Sequence, residues 1–595
     1  MAETESSPPT ARLGAMRIAV GLAQGVALYV LSEVRLNGMA TDGGRMVFGA
    51  LAMALLFTPI VFLGGFGAMR RRTFVRWTAG AALILAVVGG YDGDIHNIYP
   101  ARMPQWPAPP LVFLAPAGLF IAHYLILAAD IEGRRFPAYR RYFDLAWKDG
   151  VRLALTAGFV GALWALLFLG ASLFKLIDID VVLTTIQKRW FAFPATCSFI
   201  AIGVHLTDVR ESLVRGVRGM ALTLLSWLGP VMVVITAAFL MALVFTGLGP
   251  LWATKRAGGI LLSAAAALIV LINAAYQDGE PADLPRALKW TARAGAILLV
   301  PLTALAALAV GLRIGQYGLT PERIMGAACV VVAACYAVGY AIAGARPGPW
   351  LKGVGTTNVV SAYVVLAVLA LILTPLADPA RLSVESQMAR LKAAKVAPDK
   401  LDYVFLRFDG GRYGLDALKR LAGQGEATAA RLAKNALGTD ERGAVATPPP
   451  ADRTVLIKAG PGSPPLPKSF VDQKWPFGVD PYRRCDGAKE GCVAWLQDLD
   501  GAPGDEVMLL VADTVLVYKQ GPSGWAQAGT MTPYVCEGVS DAMRVGNFQL
   551  VAPVATWRDI EVAGRRLRMM EEGRYDCGPK PTPSKDGSSH FVFKK

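Results

Sequence analysis

Apolar runs long enough to cross the roughly 30 Å hydrocarbon core of a bilayer recur from Arg17 to Leu376 and then stop. No motif in the chain constrains the fold as tightly. Backbone inside lipid must satisfy its own hydrogen bonds, so each run is expected as a helix. Windows of about 19 residues give about eleven candidate spans. They lie near Arg17–Leu31, Val47–Gly64, Val75–Gly89, Leu111–Ala129, Val151–Leu173 and Trp190–Leu206. The rest lie near Ala221–Phe245, Gly258–Tyr276, Ala292–Leu312, Ile324–Ala343 and Asn358–Leu376. Met1–Thr10 is polar and acidic, so the first run is expected as a retained helix rather than a cleaved signal. Pro59, Pro116, Pro194, Pro230 and Pro301 fall inside spans and are expected as kinks, because neighbouring helices can satisfy the freed carbonyls. The expected fold class is a polytopic α-helical membrane protein of about 11 transmembrane helices with a C-terminal soluble α+β domain.

Charge decides between two readings of the excess base. Only 18% of residues are charged, against about 25% for an average soluble protein. A net charge of +15 suggests a polyanion ligand, but most of the excess lies in short loops between apolar runs. No basic stripe with interleaved aromatics occurs, so nucleic acid is not an expected partner; the lipid bilayer is. Arg70, Arg71, Arg72 and Arg76 share one loop, and Arg134, Arg135, Arg140, Arg141, Lys148 and Arg152 lie two loops later. Between them, Tyr91–Pro110 holds Arg102 with Asp92 and Asp94. By the positive-inside rule the Arg-rich loops are cytoplasmic. Alternation then puts Arg210, Arg215, Arg218, Arg286, Lys289 and Arg293 inside, and Asp178 and Asp180 outside. An odd number of crossings leaves the N-terminus cytoplasmic and the C-terminal domain periplasmic, with the bundle in a bacterial inner membrane.

The cysteines agree with that direction. Cys485, Cys492, Cys536 and Cys577 form an even set confined to the soluble part, as an oxidising compartment favours. Four cysteines allow three pairings; Cys485–Cys492 with Cys536–Cys577 is the favoured one. No CxxC spacing supports a metal site. Cys197, Cys329 and Cys335 lie in spans and are expected to pack.

Composition divides the chain into a transmembrane domain at 1–376, a helical periplasmic segment at 377–437, a Pro/Gly-rich linker at 438–467 and a β-rich domain at 468–595. Met388, Leu391 and Val396 give one helical stripe, and Leu415, Leu418 and Leu421 another, with a turn at Phe408–Gly414 between them. Val507–Ala512 and Thr514–Lys519 are expected as successive strands, and Ile560–Val562 with Arg566–Met570 as a hairpin. Asp498, Asp500 and Glu506 resemble part of a calcium loop. Ala502 stands where a third ligand belongs, so a solvated strand–turn is expected and neither metal nor cofactor is assigned.

Ionisable groups at bilayer depth are the default functional candidates. His123 and His205 lack a second histidine at i+4, no Gly-x-Ser-x-Gly elbow occurs, and no span carries paired carboxylates. His123 reads as a satisfied bundle residue. Asp92, Asp94 and His96 gather in the outer loop Tyr91–Tyr99, a cluster able to hold a cation or a headgroup, although loop carboxylates are common without any ligand. In Arg313–Arg323, Thr320 is placed as an N-cap, Pro321 at the first helical position and Glu322 in the positive first turn. Arg313 and Arg323 are candidates to pair with Glu322 or with lipid phosphate.

Three stretches carry a resemblance. Gln316-Tyr-Gly-Leu-Thr-Pro-Glu-Arg323 and Asn273-Ala-Ala-Tyr-Gln-Asp-Gly279 are similar to the bacterial membrane family called domain of unknown function 4153. Arg407-Phe-Asp409, with Gly411-Arg-Tyr-Gly414, resembles the soluble extension of its proteobacterial members. The resemblance covers most spans and the helical segment after them, and it implies no catalytic residues. The leading expectation is a non-catalytic envelope anchor whose periplasmic module binds an envelope protein or lipid, in an oligomeric state the sequence does not set. The alternatives are a transporter or lipid flippase, and a membrane-surface enzyme on a lipid-linked substrate using Asp92, Asp94 and His96 with Arg313 or Arg323.

Overall fold

The computed structural model describes residues 8–36, 42–96, 107–209, 211–254, 256–279, 284–346, 350–438, 440, 442–446, 456–473, 475, 479–485, 491–531, 538–550, 560–562 and 565–567. Among them, eleven helices are long and apolar enough to cross a membrane. They are α1 (Pro8–Leu36), α2 (Asp42–Gly65), α3 (Arg71–Ile95), α4 (Pro109–Glu132), α5 (Tyr139–Lys175), α7 (Arg189–Val209) and α8 (Glu211–Thr246), followed by α10 (Ala257–Tyr276), α11 (Arg286–Tyr317), α12 (Pro321–Ala345) and α13 (Val354–Ile372). Two short helices, α6 (Val181–Ile186) and α9 (Gly249–Ala253), lie between spans. All five prolines sit inside continuous helices, as bilayer packing permits.

The chain divides into two compact units, Met1–Ala430 and Arg431–Lys595. In the first, the largest core joins α10, α11 and α12 through Leu268, Ile272, Leu299, Leu302 and Tyr340, all at most 2% exposed. One set of polar side chains beside it forms a closed network. Asn273 Nδ2 donates to the Tyr340 hydroxyl (2.6 Å), Tyr340 donates to Asn358 Oδ1 (2.5 Å), and Asn358 Nδ2 donates to Asn273 Oδ1 (2.6 Å) and to Tyr139 (2.9 Å). This ring ties α5, α10, α12 and α13 together, because in lipid a polar group must find its partner within the bundle. Gln24, inside α1, donates to the carbonyls of Leu55 and Leu56 on α2.

Several spans run past their expected ends, so that Arg71, Arg72, Arg76, Arg140, Arg141, Lys148 and Arg152, expected in loops, lie in the N-terminal halves of α3 and α5, and one such extension shapes the site. The third span was expected to end at Gly89, with Tyr91 opening a loop; α3 instead runs to Ile95. Glycines along this stretch admit α2. A Cβ on Gly89 would overlap the Gly49 carbonyl, and one on Gly93 would overlap that of Arg45. Small residues of this kind let two membrane helices approach backbone to backbone. Asn97–Tyr99, also assigned to that loop, lie outside the described residues.

After the last span come α14 (Pro379–Lys392), a 3-10 turn (Pro398–Lys400), α15 (Tyr403–Phe408), α16 (Gly411–Gln424) and α17 (Ala427–Leu437). The expected turn at Phe408–Gly414 reduces to Asp409 and Gly410, and Gly411–Gly414 open α16.

The second unit opens with α18 (Arg442–Ala446) and carries a five-stranded sheet in the order β1 (Ile457–Ala459), β2 (Cys492–Gln497), β3 (Glu506–Val511), β4 (Thr514–Gly521), β5 (Gly524–Met531). The first pair is parallel and the others antiparallel. β1 arises within the Pro/Gly-rich stretch. Side chains alternate along β3. Val507 and Leu509 face a cluster with Phe470, Tyr482, Tyr518 and Trp525, supplied partly by α19 (Lys468–Val471) and α20 (Pro481–Cys485). Met508 and Leu510 face Trp495, Phe548 and Met543 of α21 (Val539–Arg544). Cys485 and Cys492 form a disulfide with Cα atoms 5.7 Å apart, whereas Cys536 and Cys577 lie outside the described residues. β6 (Ile560–Val562) and β7 (Arg565–Leu567) pair antiparallel, as the hairpin expectation required.

Candidate functional site

The polar cluster of the third span is a joint. Tyr91, Asp92, Asp94 and His96 occupy the last turn and C-cap of α3. Asp378, which the sequence reading did not single out, caps α14: its Oδ1 accepts from the backbone of Ala380 (2.7 Å) and Arg381 (3.1 Å). Its other oxygen accepts from the Tyr91 hydroxyl (2.6 Å) and lies 3.6 Å from His96 Nε2. Tyr91 also shares a hydrogen bond with Tyr413 of α16 (3.1 Å). His96 Nδ1 lies 3.3 Å from Asp92 Oδ1, at ion-pair distance, while Asp92 Oδ2 accepts from the Ala108 backbone (3.0 Å). Arg412 Nη2 donates to Asp94 Oδ1 (2.7 Å).

Backbone conformation completes the joint. Gly411 has φ +58°, and a Cβ there would come 2.6 Å from the Ile95 carbonyl. Only glycine meets both demands. Asp378 is 1% exposed, so its charge needs partners. Burial alone would raise its pKa, but the bonds from His96 and Tyr91 hold it below the usual carboxylate value. Burial works against the His96 cation too, yet Asp378 and then Asp92 raise its pKa to about 9. The imidazole is thus charged at neutral pH. A cation held between two carboxylates is a poor general base, because it has no free lone pair for a substrate proton.

Arg313 and Arg323 belong to a second joint. Both guanidinium groups lie over the Tyr317 ring, at 5.8 and 5.4 Å, and they donate to the carbonyls of Trp252 and Gly318 respectively. Neither forms an ion pair with Glu322 among the described residues. Glu322 does sit in the first turn of α12, with Thr320 accepting from the Arg323 backbone at 3.4 Å. The Gln316 carbonyl accepts from Arg390, and the Leu319 backbone donates to Ser386, both on α14.

Asp498, Asp500 and Glu506 do converge. Lys519 pairs with two of them: its ammonium bonds Asp500 and lies 3.4 Å from Glu506 Oε1. The ammonium thus balances part of the negative charge that the three carboxylates gather.

The sequence reading missed a cleft between helices. A cavity of about 490 Å³ is lined by α1, α2, α4, α5 and α7. Its wall is mostly apolar, and one end gathers His123, Lys148, Asp149, Arg152, Asp208 and Arg17. Arg152 bridges Asp149 and Asp208 (2.6 Å each), and Arg17 reaches Asp208 (3.0 Å). The signals available beforehand were His123 at bilayer depth and Asp208, a carboxylate at the end of a span three residues from His205.

Fold and joints together define a polytopic α-helical membrane protein with a C-terminal α+β domain. The family described as Domain of unknown function (DUF4153) matches residues 47–421. The chain belongs to that family. No curated protein and no solved structure matches it.

Proposed function

We propose that the protein is a non-catalytic membrane anchor of the bacterial inner membrane that presents its C-terminal domain in the periplasm to an envelope component. The observation that carries this reading is the use to which the family's residues are put. Asn273 sits in the polar ring, Gln316–Arg323 bonds α14, and Arg412 and Tyr413 close onto α3. Each motif locks one helix to another, and Asp92, Asp94 and His96 are engaged with partners from their own fold. A rigid seat for the segment after the last span is what an anchor requires. The Arg-rich loops support the orientation, as does a disulfide in the C-terminal domain, a bond that persists in oxidising compartments.

Two experiments on the full chain test this. Alkaline phosphatase fused after Lys595 is expected to be active and a fluorescent protein there dark. A photo-crosslinker at Val545, which is 70% exposed, is expected to give one discrete adduct in living cells. A cytoplasmic fusion signal would remove the orientation. Adducts no different from those of a crosslinker on the bundle's lipid face would remove the presenting role.

A further inference from the structure

We infer that the cleft between α1, α2, α4, α5 and α7 is a binding site for an anionic phospholipid, whose phosphoester oxygen accepts a hydrogen bond from His123 and whose acyl chain lies along the apolar wall. The argument begins at one ring. Trp77 Nε1, which can only donate, lies 3.0 Å from His123 Nδ1. That nitrogen is therefore the acceptor and carries no proton, so the proton of the neutral imidazole is on Nε2. His123 is 5% exposed, it lines the cleft, and its Nε2 has no hydrogen-bond partner. A buried donor without an acceptor costs about 1–3 kcal/mol, which a ligand oxygen there would recover.

The neighbouring charges give the sign of the ligand. Arg17, Lys148 and Arg152 line this end together with Asp149 and Asp208, three basic side chains to two acidic ones. Arg17 is 5% exposed and its Nε has no hydrogen-bond partner either. Two unpartnered donors at this end, His123 Nε2 and Arg17 Nε, call for acceptor oxygens, and a basic lining favours an anionic one. The rest of the wall is mostly apolar, Phe57, Ile60, Leu119 and Phe120 among it, with the ring of Tyr124 beside them. The volume, about 490 Å³, falls in the ~300–1,000 Å³ range of small-molecule sites.

The entrance gives the source. Ile60, Ile131 and Leu153, on three different spanning helices, line the cleft and are 38%, 45% and 42% exposed, so the cleft opens between apolar side chains. A ligand enters sideways from the bilayer, which selects a lipid over a free phosphate. The polar end lies by the turn from Gly64 to Ala68 and by Asp208, hence at the membrane face of the Arg-rich loops. This site stands apart from the α3 joint, and it does not rest on the anchor reading.

Native mass spectrometry of the delipidated full-length protein, titrated with defined lipids, tests the inference. Phosphatidylglycerol is expected to bind about tenfold more tightly than diacylglycerol, the worth of one charge-assisted hydrogen bond. Phosphatidylcholine should fall between them, and inorganic phosphate alone should not bind. His123→Leu and Arg17→Met should each bring phosphatidylglycerol close to the diacylglycerol level. Ile60→Trp, at the rim, serves if the buried variants fail to fold, and should weaken every lipid alike by blocking the entrance. Equal binding of phosphatidylglycerol and diacylglycerol to the wild type would overturn the inference. So would equal binding of phosphatidylglycerol to the wild type and to all folded variants, which marks annular lipid, or binding of phosphate alone.

Discussion

At the scale of single residues, His96 makes the α3 joint sensitive to pH. Tyr91, Asp92, Asp378 and Tyr413 surround it, and the Asp94–Arg412 pair lies alongside. Its folded pKa, about 9, exceeds the ordinary 6.5, so the folded state holds the proton more tightly. The stabilisation is complete below about pH 6.5, declines as pH rises and is lost above about 9. Melting temperature of the full-length protein should fall across that window, and His96→Gln should lack this component of the fall. Parallel curves for the two would refute the assignment. Asp378 allows the charge to be separated from the cap. Asparagine caps a helix about as well as aspartate, so Asp378→Asn should lose only the pairing with His96 and flatten the same pH window. Asp378→Ala should cost about 1 kcal/mol more, read as faster proteolysis between α14 and α16. The local gathering of Asp92, Asp94 and His96 was legible in the sequence, but their partners were not, because Tyr91 and Asp378 are 287 residues apart and Asp94 and Arg412 are 318 apart. The residue types were visible; what brought them together was the return of the chain to the end of α3. His123 shows a subtler limit. Reading it as satisfied was right for Nδ1 and missed Nε2, since sequence gives a ring its depth and not the partners of its two nitrogens.

At the scale of elements, what counted was whether a signal depends on composition or on contact. Eleven spans were legible because apolar length is intrinsic to a segment. β3 and β4 were legible because alternation and a tight turn are local. The end of α3 was not, since a glycine that breaks a lone helix also lets two helices touch, and only the partner decides which. That contact yields a paired test. Gly89 lies against Gly49 and Met53, whereas nothing lies within 4 Å of a Cβ on Gly80 in the same helix. Gly89→Val should force α2 and α3 apart and cost about 2–4 kcal/mol, within the range for overpacking a tight core and losing backbone contact. Gly80→Ala should be neutral or gain up to about 1 kcal/mol, the helix-propensity difference. Thermal unfolding in detergent measures both. Equal effects would mean that α2 and α3 do not meet at Gly89.

At the scale of the whole molecule, tertiary contacts and span parity meet independently. The joint ties the C-terminal end of α3 to the segment that follows α13, and the connection between α11 and α12 bonds that same segment. If the eleven helices cross in alternation, those three ends share one face, as the contacts require. A missed or re-entrant span among α4 to α13 would have put them on opposite faces. Parity leaves the identity of that face open, and the proposed orientation rests on two physically unrelated signals: the Arg-rich stretches between apolar runs, and a sulfur pair within the C-terminal domain. The second can be read out directly. Cys485 and Cys492 close a short loop, at a separation of 7 residues, so the crosslink should be worth about 2–3 kcal/mol to the β-rich domain through chain entropy. In intact cells a membrane-impermeant maleimide should leave both cysteines unlabelled until a reductant is added, and should label both afterwards. Cys485→Ser with Cys492→Ser should lower the melting temperature of that domain while the bundle's transition stays in place. Labelling without reductant, or labelling only after the membrane is permeabilised, would put these sulfurs on the reducing side, and the direction assigned to every span would have to be reversed.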